Sequence, residues 1–307
     1  TISLTDATLN AGSNLALHAG NDITVGAIDQ VHHFAQSGFR GVADNSTDTT
    51  ALQGSRIQAG GNLSMQAGHD LTFTASTAGA GGSAQLSAGN DLNLNAGQTV
   101  SNHRSGASES HQTGVDNSTL TAGQNLQLTA GRDITSQAAG LAAEGNVQLS
   151  AGRDVNLLSE AATQGDSYRS KKKTVINDQV RQQGTSLSSG GSTVITAGRD
   201  ITSQAADVVA QQDIGLSAGR NVNLSTATES DYHYQEETKT KKGFLSRSTT
   251  HTISETSDTR DKGTLLSGDN VSVRAGQDIL VHGSQVAGDG TVALNAGNNV
   301  SIDAATN

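Results

Sequence analysis

The sequence predicts an all-β protein, a right-handed parallel β-helix built as a three-faced β-solenoid with about 21 residues per coil. The main observation is a unit that recurs nine times, AGxD or AGxN followed by alternating apolar residues, as in AGNDITV and AGRDVNL. Every second gap between the glycines of these units has the same length, about 21 residues, and the other gaps are about two to three times as long. Such internal repeats are typical of solenoids. The repeated glycines are Gly20, Gly68, Gly89, Gly131, Gly152, Gly198, Gly219, Gly276 and Gly297.

A unit of the shorter kind contains three short strand patterns. In residues 276–297 the apolar residues fall into three groups that are separated by turn-forming residues. They are Ile279 and Val281, then Val286, then Val292 and Leu294. Strands this short are not stable alone. Each coil must therefore stack on the previous one, with parallel strands about 4.8 Å apart and aliphatic side chains in rows inside.

The composition agrees with a repetitive all-strand chain. The 307 residues include 36 glycines, no proline, no cysteine and only seven aromatic residues, so aliphatic side chains must fill the interior. Absence of proline suits a backbone that pairs along its whole length. Absence of cysteine excludes a disulfide scaffold and a thiolate zinc site. The formal charge of -10 argues against a general nucleic-acid-binding protein.

The residues between the strands are predicted to form the corners of the coils. Glycine adopts a left-handed turn without strain, and Asn or Asp tolerates it while bonding its own backbone, which applies to Asn125, Asp133 and Asp154. The alternative is calcium binding, because some Asp-rich solenoids bind calcium through a nonapeptide repeat. Here the acidic residues recur once per coil and do not converge on one site. We therefore expect neither a metal site nor a cofactor.

Four enlarged units predict excursions that leave the solenoid at one corner. The residues in excess of a coil lie near 28–57, 98–118, 159–188 and 227–263. The stretch 229–260 has two Thr- and Ser-rich arms with alternating side chains on either side of KKGF, which is typical of a β-hairpin. Successive excursions are two coils apart, so neighbouring hairpins are able to pair along one side. Residues 1–307 are otherwise expected to be a single β-solenoid fragment of a longer protein.

The excursions also hold most of the large and cationic side chains. Six of the seven aromatic residues and all seven lysines lie in them. Exposed Tyr and Phe beside Lys are able to bind phosphate-bearing lipid or glycan head groups. The alternative is a solvated flange that covers one face or prevents lateral strand pairing. The candidate contact residues are Tyr168, Lys171, Lys172, Lys173, Tyr232, Tyr234, Lys241, Lys242 and Phe244.

The repeats resemble a known family. The AGxDIxV coils, the hairpin sequences SYRSKKKT and DYHYQEETKTKKGFLSRSTTH, and the run GTLLSGDNVSVRAGQDILVHGS are similar to the haemagglutinin repeats of filamentous haemagglutinins and contact-dependent growth inhibition toxins. The hairpin-bearing form resembles most the second repeat region of the inhibition toxins. This resemblance implies a secreted protein of the bacterial cell surface, exported through a two-partner-secretion transporter. It also implies action at the recipient outer membrane and a C-terminal toxin domain on the same polypeptide.

Two functional classes remain open, and catalysis is not expected. One is a delivery module for the toxin, and the other is a structural shaft or glycan-binding surface of an adhesin. Pectin-degrading enzymes use a similar architecture, but they need a unique cluster of charged residues on adjacent coils. The arginines of the AGRD and AGRN units recur from coil to coil, and His32 and His33 lack an HExxH-like partner. No catalytic or cofactor-binding residues are predicted.

Overall fold

The computed structural model describes residues 1–39 and 43–305, and its regular elements are all β-strands. In chain order the first are β1 Ile2–Thr5, β2 Thr8–Ala11, β3 Leu15–Ala19, β4 Ile23–Gln36, β5 Asn45–Gly54, β6 Arg56–Ala59, β7 Leu63–Ala67, β8 Leu71–Thr74 and β9 Thr77–Ala80. Next come β10 Ala84–Ala88, β11 Leu92–Asn95, β12 Gly97–Ser105, β13 Ser108–Asp116, β14 Thr119–Ala122, β15 Leu126–Ala130, β16 Ile134–Gln137, β17 Gly140–Ala143 and β18 Val147–Ala151. They continue with β19 Val155–Leu158, β20 Glu160–Arg169, β21 Lys173–Gln183, β22 Ser186–Ser189, β23 Thr193–Ala197, β24 Ile201–Gln204, β25 Asp207–Ala210, β26 Ile214–Ala218 and β27 Val222–Ser225. The last are β28 Ala227–Lys242, β29 Arg247–Lys262, β30 Leu265–Gly268, β31 Val271–Ala275, β32 Ile279–His282, β33 Gln285–Gly288, β34 Val292–Ala296 and β35 Val300–Asp303.

Most of these strands form three parallel sheets, one on each face of a coil. The first sheet contains β1, the base of β4, β8, β11, β16, β19, β24, β27, β32 and β35. The second contains β2, β6, β9, β14, β17, β22, β25, β30 and β33, and the third contains β3, β7, β10, β15, β18, β23, β26, β31 and β34. The predicted three-faced solenoid is confirmed.

The core is a set of in-register rows that run along the solenoid. In the first sheet Ile134 pairs with Val155 and Val155 pairs with Ile201, and all three side chains are fully buried. Each such side chain contributes about 1.5–3 kcal/mol by leaving water. Phe73 is the only aromatic residue among the buried core residues of the described chain. The stability of the coils therefore comes from many similar aliphatic contacts.

Eight of the nine repeated glycines are needed for close stacking, and Gly20 in the first coil is the exception, because a Cβ atom there would have no atom within 4 Å. A Cβ atom built on Gly152 would lie 2.2 Å from the carbonyl oxygen of Gly131, and one on Gly89 would lie 2.0 Å from that of Gly68. None of the nine has the positive φ that marks a left-handed residue. The expectation that they adopt a left-handed conformation is therefore wrong. A corner in which successive backbones touch excludes any side chain.

Five of the six left-handed residues in the described chain lie instead at the end of first-sheet strands in alternate coils, and the sixth, Gly106, lies in the turn of the second hairpin. The five are Asp6, Ala75, Ala138, Ala205 and Gly283, with φ between 46° and 53°. These residues follow β1, β8, β16, β24 and β32, which are the first-sheet strands of the coils without an excursion. In the other coils the chain continues outward from the same corner. A coil without a hairpin thus has a left-handed residue at the corner from which, in the other coils, the hairpin begins.

The excursions are four antiparallel hairpins, β4–β5, β12–β13, β20–β21 and β28–β29. Residues 40–42, within the first predicted excursion, lie outside the described residues. The return strand of each hairpin pairs with the outgoing strand of the next, as in Thr50 with Val100, Thr113 with Thr163 and Val180 with Ser230. The result is one eight-stranded antiparallel sheet, called here the hairpin sheet, beside the solenoid.

Candidate interaction surface

Each hairpin is anchored where it returns to the solenoid. There a buried Ser or Thr hydroxyl lies within hydrogen-bond distance of the carbonyl oxygen at which the chain left the first sheet. The pairs are Ser55 with Gly26 (2.8 Å), Ser118 with Asn95 (2.7 Å), Thr185 with Leu158 (3.2 Å) and Thr264 with Ser225 (3.2 Å). The hydroxyls of Thr185 and Thr264 lie closer still to the carbonyl oxygens of Ser136 (2.7 Å) and Ser203 (3.0 Å) in the preceding coil. Buried polar groups need such partners. The hydroxyl therefore fixes the point at which both arms of a hairpin leave the coil.

Sequence reasoning missed these anchors, although a signal was present. A Gly-Ser or Gly-Thr pair directly precedes a second-sheet strand at Gly54–Ser55, Gly184–Thr185 and Gly263–Thr264. A Cβ atom on Gly54 would lie 1.8 Å from the carbonyl oxygen of Ala75 in the next coil. The glycine of the pair therefore allows close stacking, and the hydroxyl residue closes the hairpin.

Polar side chains join each hairpin to the next. The contacts are Thr47 Oγ1 with His103 Nδ1 (3.0 Å), Thr113 Oγ1 with Thr163 Oγ1 (2.8 Å), His111 Nε2 with Asp178 Oδ1 (3.6 Å), His233 Nδ1 with Asn177 Oδ1 (2.6 Å) and Arg181 Nη2 with Asp231 Oδ1 (2.5 Å). The path from His111 to Asp178 crosses Gly165, where a Cβ atom would lie 2.1 Å from the imidazole Cε1 atom. A side chain at this strand position would therefore force His111 and Asp178 to move apart.

Glu229 is the most buried charged group at the base of the hairpin sheet, with 8% of its surface exposed. Its carboxylate accepts hydrogen bonds from the Gln182 backbone N–H (3.0 Å) and from Arg260 Nε (2.9 Å). Burial raises its pKa, but these two donors outweigh that effect and hold the pKa below its usual range. Glu229 is thus ionised and joins the third hairpin to the fourth.

The predicted lysines lie at the outer ends of the third and fourth hairpins. They are Lys171 and Lys172 in the turn between β20 and β21, Lys173 at the start of β21, and Lys241 and Lys242 at the end of β28. The third hairpin ends beside Thr238, whose backbone N–H donates to the carbonyl oxygen of Lys172 over 2.7 Å, and the fourth hairpin extends past it to Lys241 and Lys242. The five lysines at these two neighbouring hairpin ends are called here the basic tip.

Apolar side chains lie in the turn of the fourth hairpin. Phe244 is fully exposed and Leu245 is 93% exposed, in a turn closed by a 2.7 Å hydrogen bond from the Gly243 N–H to the Ser246 carbonyl oxygen. Sequence reasoning named Phe244 and missed Leu245. These two adjacent side chains are the apolar groups that the far end of a polar hairpin offers to another surface.

The three tyrosines are placed differently from the lysines. Tyr168 is 41% exposed, but Tyr232 and Tyr234 are partly buried on one face of the hairpin sheet. Their hydroxyls donate to Glu255 (3.1 Å) and Glu236 (3.3 Å), and desolvation together with these carboxylates raises both pKa values. Tyr234 lies eight residues before Lys242, or roughly 26 Å along β28, and it is opposite Ile176, three residues after Lys173 in β21. Tyr232 and Tyr234 thus lie on the face of the hairpin sheet, closer to its base than the lysines.

The charged corners of the coils form a ladder. Asp91 Oδ1 accepts a 3.2 Å bond from the Asp133 N–H, and Asp133 Oδ1 accepts a 3.1 Å bond from the Asp154 N–H. Each arginine of the repeats bonds the acidic residue of the preceding coil, in the pairs Arg132–Asp91, Arg153–Asp133, Arg199–Asp154 and Arg220–Asp200. The side-chain bond from Arg132 lowers the pKa of Asp91. These groups are therefore used between coils, as a repeated structural device.

In the part of the chain that the structure describes, no group of three or more His, Cys, Asp or Glu side chains is arranged to hold a metal ion. Nor do residues 1–39 and 43–305 include a helix with the length and apolar character of a membrane span.

Comparison with known proteins identifies the repeats. A haemagglutinin-repeat family model matches residues 37–116, 100–176, 165–248 and 243–307, and a second haemagglutinin-repeat model matches residues 1–32. No solved structure matches the chain.

The curated relatives are CdiA proteins. The chain is 62% identical over 172 residues to the 16S rRNA endonuclease CdiA of Enterobacter cloacae subsp. cloacae, which covers 56% of this chain and 5% of that protein. It is 56% identical over 305 residues to the tRNA nuclease CdiA of Escherichia coli strain 536, which covers 99% of this chain and 9% of that protein. The chain thus spans less than a tenth of the length of these relatives. The predicted resemblance is confirmed, and the chain belongs to the haemagglutinin-repeat family.

Proposed function

We propose that the chain is a non-enzymatic segment of a secreted, cell-surface effector of contact-dependent growth inhibition. In this proposal it acts at the outer membrane of the recipient bacterium and helps to deliver a C-terminal toxin carried by the same polypeptide. The similarity to CdiA proteins supports the general role. The single observation that carries the contact role is the basic tip with exposed Phe244 and Leu245.

The chemistry of the basic tip suits an anionic, phosphate-bearing surface. Each lysine near such a surface contributes about 1 kcal/mol, and the attraction falls as salt screens it. The rest of the chain repels such a surface, because the total formal charge is -10. Because the positive charge lies at the hairpin ends and the rest of the chain is negative, the chain approaches the surface with its hairpin ends foremost. Phe244 and Leu245 then meet the surface before any other apolar side chain of the fourth hairpin.

The nuclease activities in the names of the relatives are not proposed for this segment. The matched residues are the repeats, and their recurrent charged groups are already bonded between coils. The further partner in this proposal is the two-partner-secretion transporter of the outer membrane, which would act during export. A chain without cysteine is suited to crossing such a pore unfolded, because no periplasmic disulfide forms.

The test replaces the contact residues in the full-length effector. The substitutions are Lys171, Lys172, Lys173, Lys241 and Lys242 to Gln, and Tyr168, Tyr232, Tyr234 and Phe244 to Ser. We expect secretion and attachment to recipient cells to be preserved and toxin entry to fall. For the isolated segment, the lysine set alone is expected to weaken binding to outer-membrane vesicles at least about ten-fold at low salt.

The matched control removes a similar amount of positive charge from the coils. Arg132, Arg153, Arg199 and Arg220 are changed to Gln, and vesicle binding should stay near that of the parent chain. If the lysine variant binds and delivers as well as the parent, the hairpins are a solvated flange and the adhesin-shaft interpretation holds. If both variants lose vesicle binding equally, the total charge of the chain determines the binding, and the basic tip has no special role.

A further inference from the structure

The last strand of the hairpin sheet has one open edge. β29 pairs with β28 along all of its 16 residues, and the first 14 of these residues are exposed. The return strands β5, β13 and β21 of the other hairpins each pair on both sides. Among the described residues, β29 from Arg247 to Arg260 is thus the only return strand whose backbone pairs with one neighbouring strand only.

β29 has the sequence of a strand that is paired on both sides. Its residues 254–259, SETSDT, resemble residues 108–113 of β13, SESHQT. The likeness is also spatial, because Glu109 and Glu255 belong to one cross-strand row of the hairpin sheet. β29 contains no proline, and its Lys and Arg residues are confined to its two ends. It therefore lacks two of the devices with which long edge strands avoid partners, proline and a central lysine, and its charged side chains between the two ends are Glu255 and Asp258.

The spacing of the hairpins leaves room for another hairpin of the same kind. Hairpins leave the solenoid at every second coil, after the first-sheet segments of β4, β11, β19 and β27. Two coils advance the solenoid by about 9.6 Å, and the two strands of a hairpin advance the hairpin sheet by about 9.6 Å. The solenoid and the hairpin sheet therefore lengthen by the same distance for each added hairpin. The coil of β32 turns at left-handed Gly283, so the next position for a hairpin follows β35.

We propose that the open edge of β29 is a docking edge for the outgoing strand of a further haemagglutinin-repeat hairpin, added antiparallel from the coil of β35. The seam between β13 and β20 supplies the register, with Glu109 opposite Ser167 and Thr113 opposite Thr163. Glu255 and Thr259 take the places of Glu109 and Thr113. The similar CdiA proteins, of which the chain spans less than a tenth, are long enough to supply such hairpins from the same polypeptide.

The test extends the whole chain by one hairpin. A copy of residues 160–226, which holds the third hairpin and two coils, is attached after Ala304 so that it follows β35 as it follows β19 in the parent. Amide hydrogen exchange is then measured in β29. We expect exchange in residues 254–259 to slow at least ten-fold relative to the parent. In a control extension, a short Gly/Ser turn replaces residues 161–182 of the copy, and β29 should exchange as in the parent.

Equal exchange in the hairpin-bearing and control extensions overturns the proposal. The proposal is also overturned if β29 exchanges slowly in the unextended chain and sedimentation velocity shows that this chain is a dimer. In that case a second copy of the chain occupies the edge. If the first extension does not fold by circular dichroism, a copy of residues 97–158 with the second hairpin is attached at the same place. The same protection of β29 is expected there, and its absence in a folded extension refutes the docking edge.

Discussion

Adding one methyl group at a corner glycine should weaken the stacking of the coils far more than adding it elsewhere. In Gly152→Ala the new Cβ atom would lie 2.2 Å from the carbonyl oxygen of Gly131. That is more than 1 Å inside ordinary contact, and the obstacle is backbone, so the two coils must separate locally. Overpacking of this kind costs about 1–3 kcal/mol. The 3.0 Å bond from the Gly152 N–H to the Ala130 carbonyl oxygen is strained as well, for about 1 kcal/mol more.

Gly140→Ala is the matched control, because it adds the same atom to a strand. Its Cβ atom would lie 3.6 Å from Thr119 Oγ1, which is ordinary contact, and Gly140 has no positive φ. The substitution should stabilise by about 0.4–1 kcal/mol through the unfolded chain. Guanidinium unfolding followed by circular dichroism should therefore separate the two variants by about 2–5 kcal/mol in unfolding free energy. Equal midpoints for the two variants would refute the close-approach explanation.

Three further outcomes follow from the same structure. Val155→Asp places a charge in a fully buried row and should cost more than about 4 kcal/mol, whereas Arg153→Ala at the exposed ladder should be mild, and equal melting temperatures would contradict the register. Replacing residues 229–260 by a short Gly/Ser turn should leave the β-sheet circular dichroism of the coils intact, since the stacked core lies outside them; its loss would place the fourth hairpin in the core. Arg132→Gln should raise the midpoint pH of acid unfolding, because the bond from Arg132 lowers the pKa of Asp91 in the folded state. That stability is present above the unfolded pKa of about 3.9 and is lost as pH falls through the folded pKa, so an unchanged midpoint would count against the ladder.

The periodicity of the sequence was sufficient to predict the solenoid, because stacking repeats one environment in every coil. Val155 and Ile201 recur at the same place in their units, and the structure pairs them in one buried row. The physical reason for glycine at the corners could not be predicted from the periodicity. A glycine that avoids a clash and a glycine that turns left-handed look alike in sequence. The left-handed position at Ala138 is even less visible, since alanine there carries no turn signal.

The hairpin surface was predicted in composition and only partly in geometry. The lysines and Phe244 reach the outer ends because they lie in turns or directly beside them, and turns can be recognised from the sequence. Tyr234 lies within a strand, and its cross-strand neighbour Glu255 comes from the return arm, whose register depends on the length of the turn. The pairing of β21 with β28 joins distant parts of the chain, as in Val180 with Ser230. Such contacts depend on the rise of the coils and not on any local pattern.

The coils and the hairpins therefore carry different constraints. In a coil, the inward side chains fill the buried rows, the corner glycines touch the backbone of the next coil, and the corner carboxylates bond the next N–H. A coil thus has few positions that are free to vary without loss of stability. The hairpin ends are fixed through anchors such as Thr185 at the base, which lie far from the basic tip. Substitutions at the basic tip should accordingly change binding without changing stability. If the parent and the lysine variant have equal melting temperatures, a loss of toxin delivery by the variant is caused by lost contact with the recipient surface and not by unfolding.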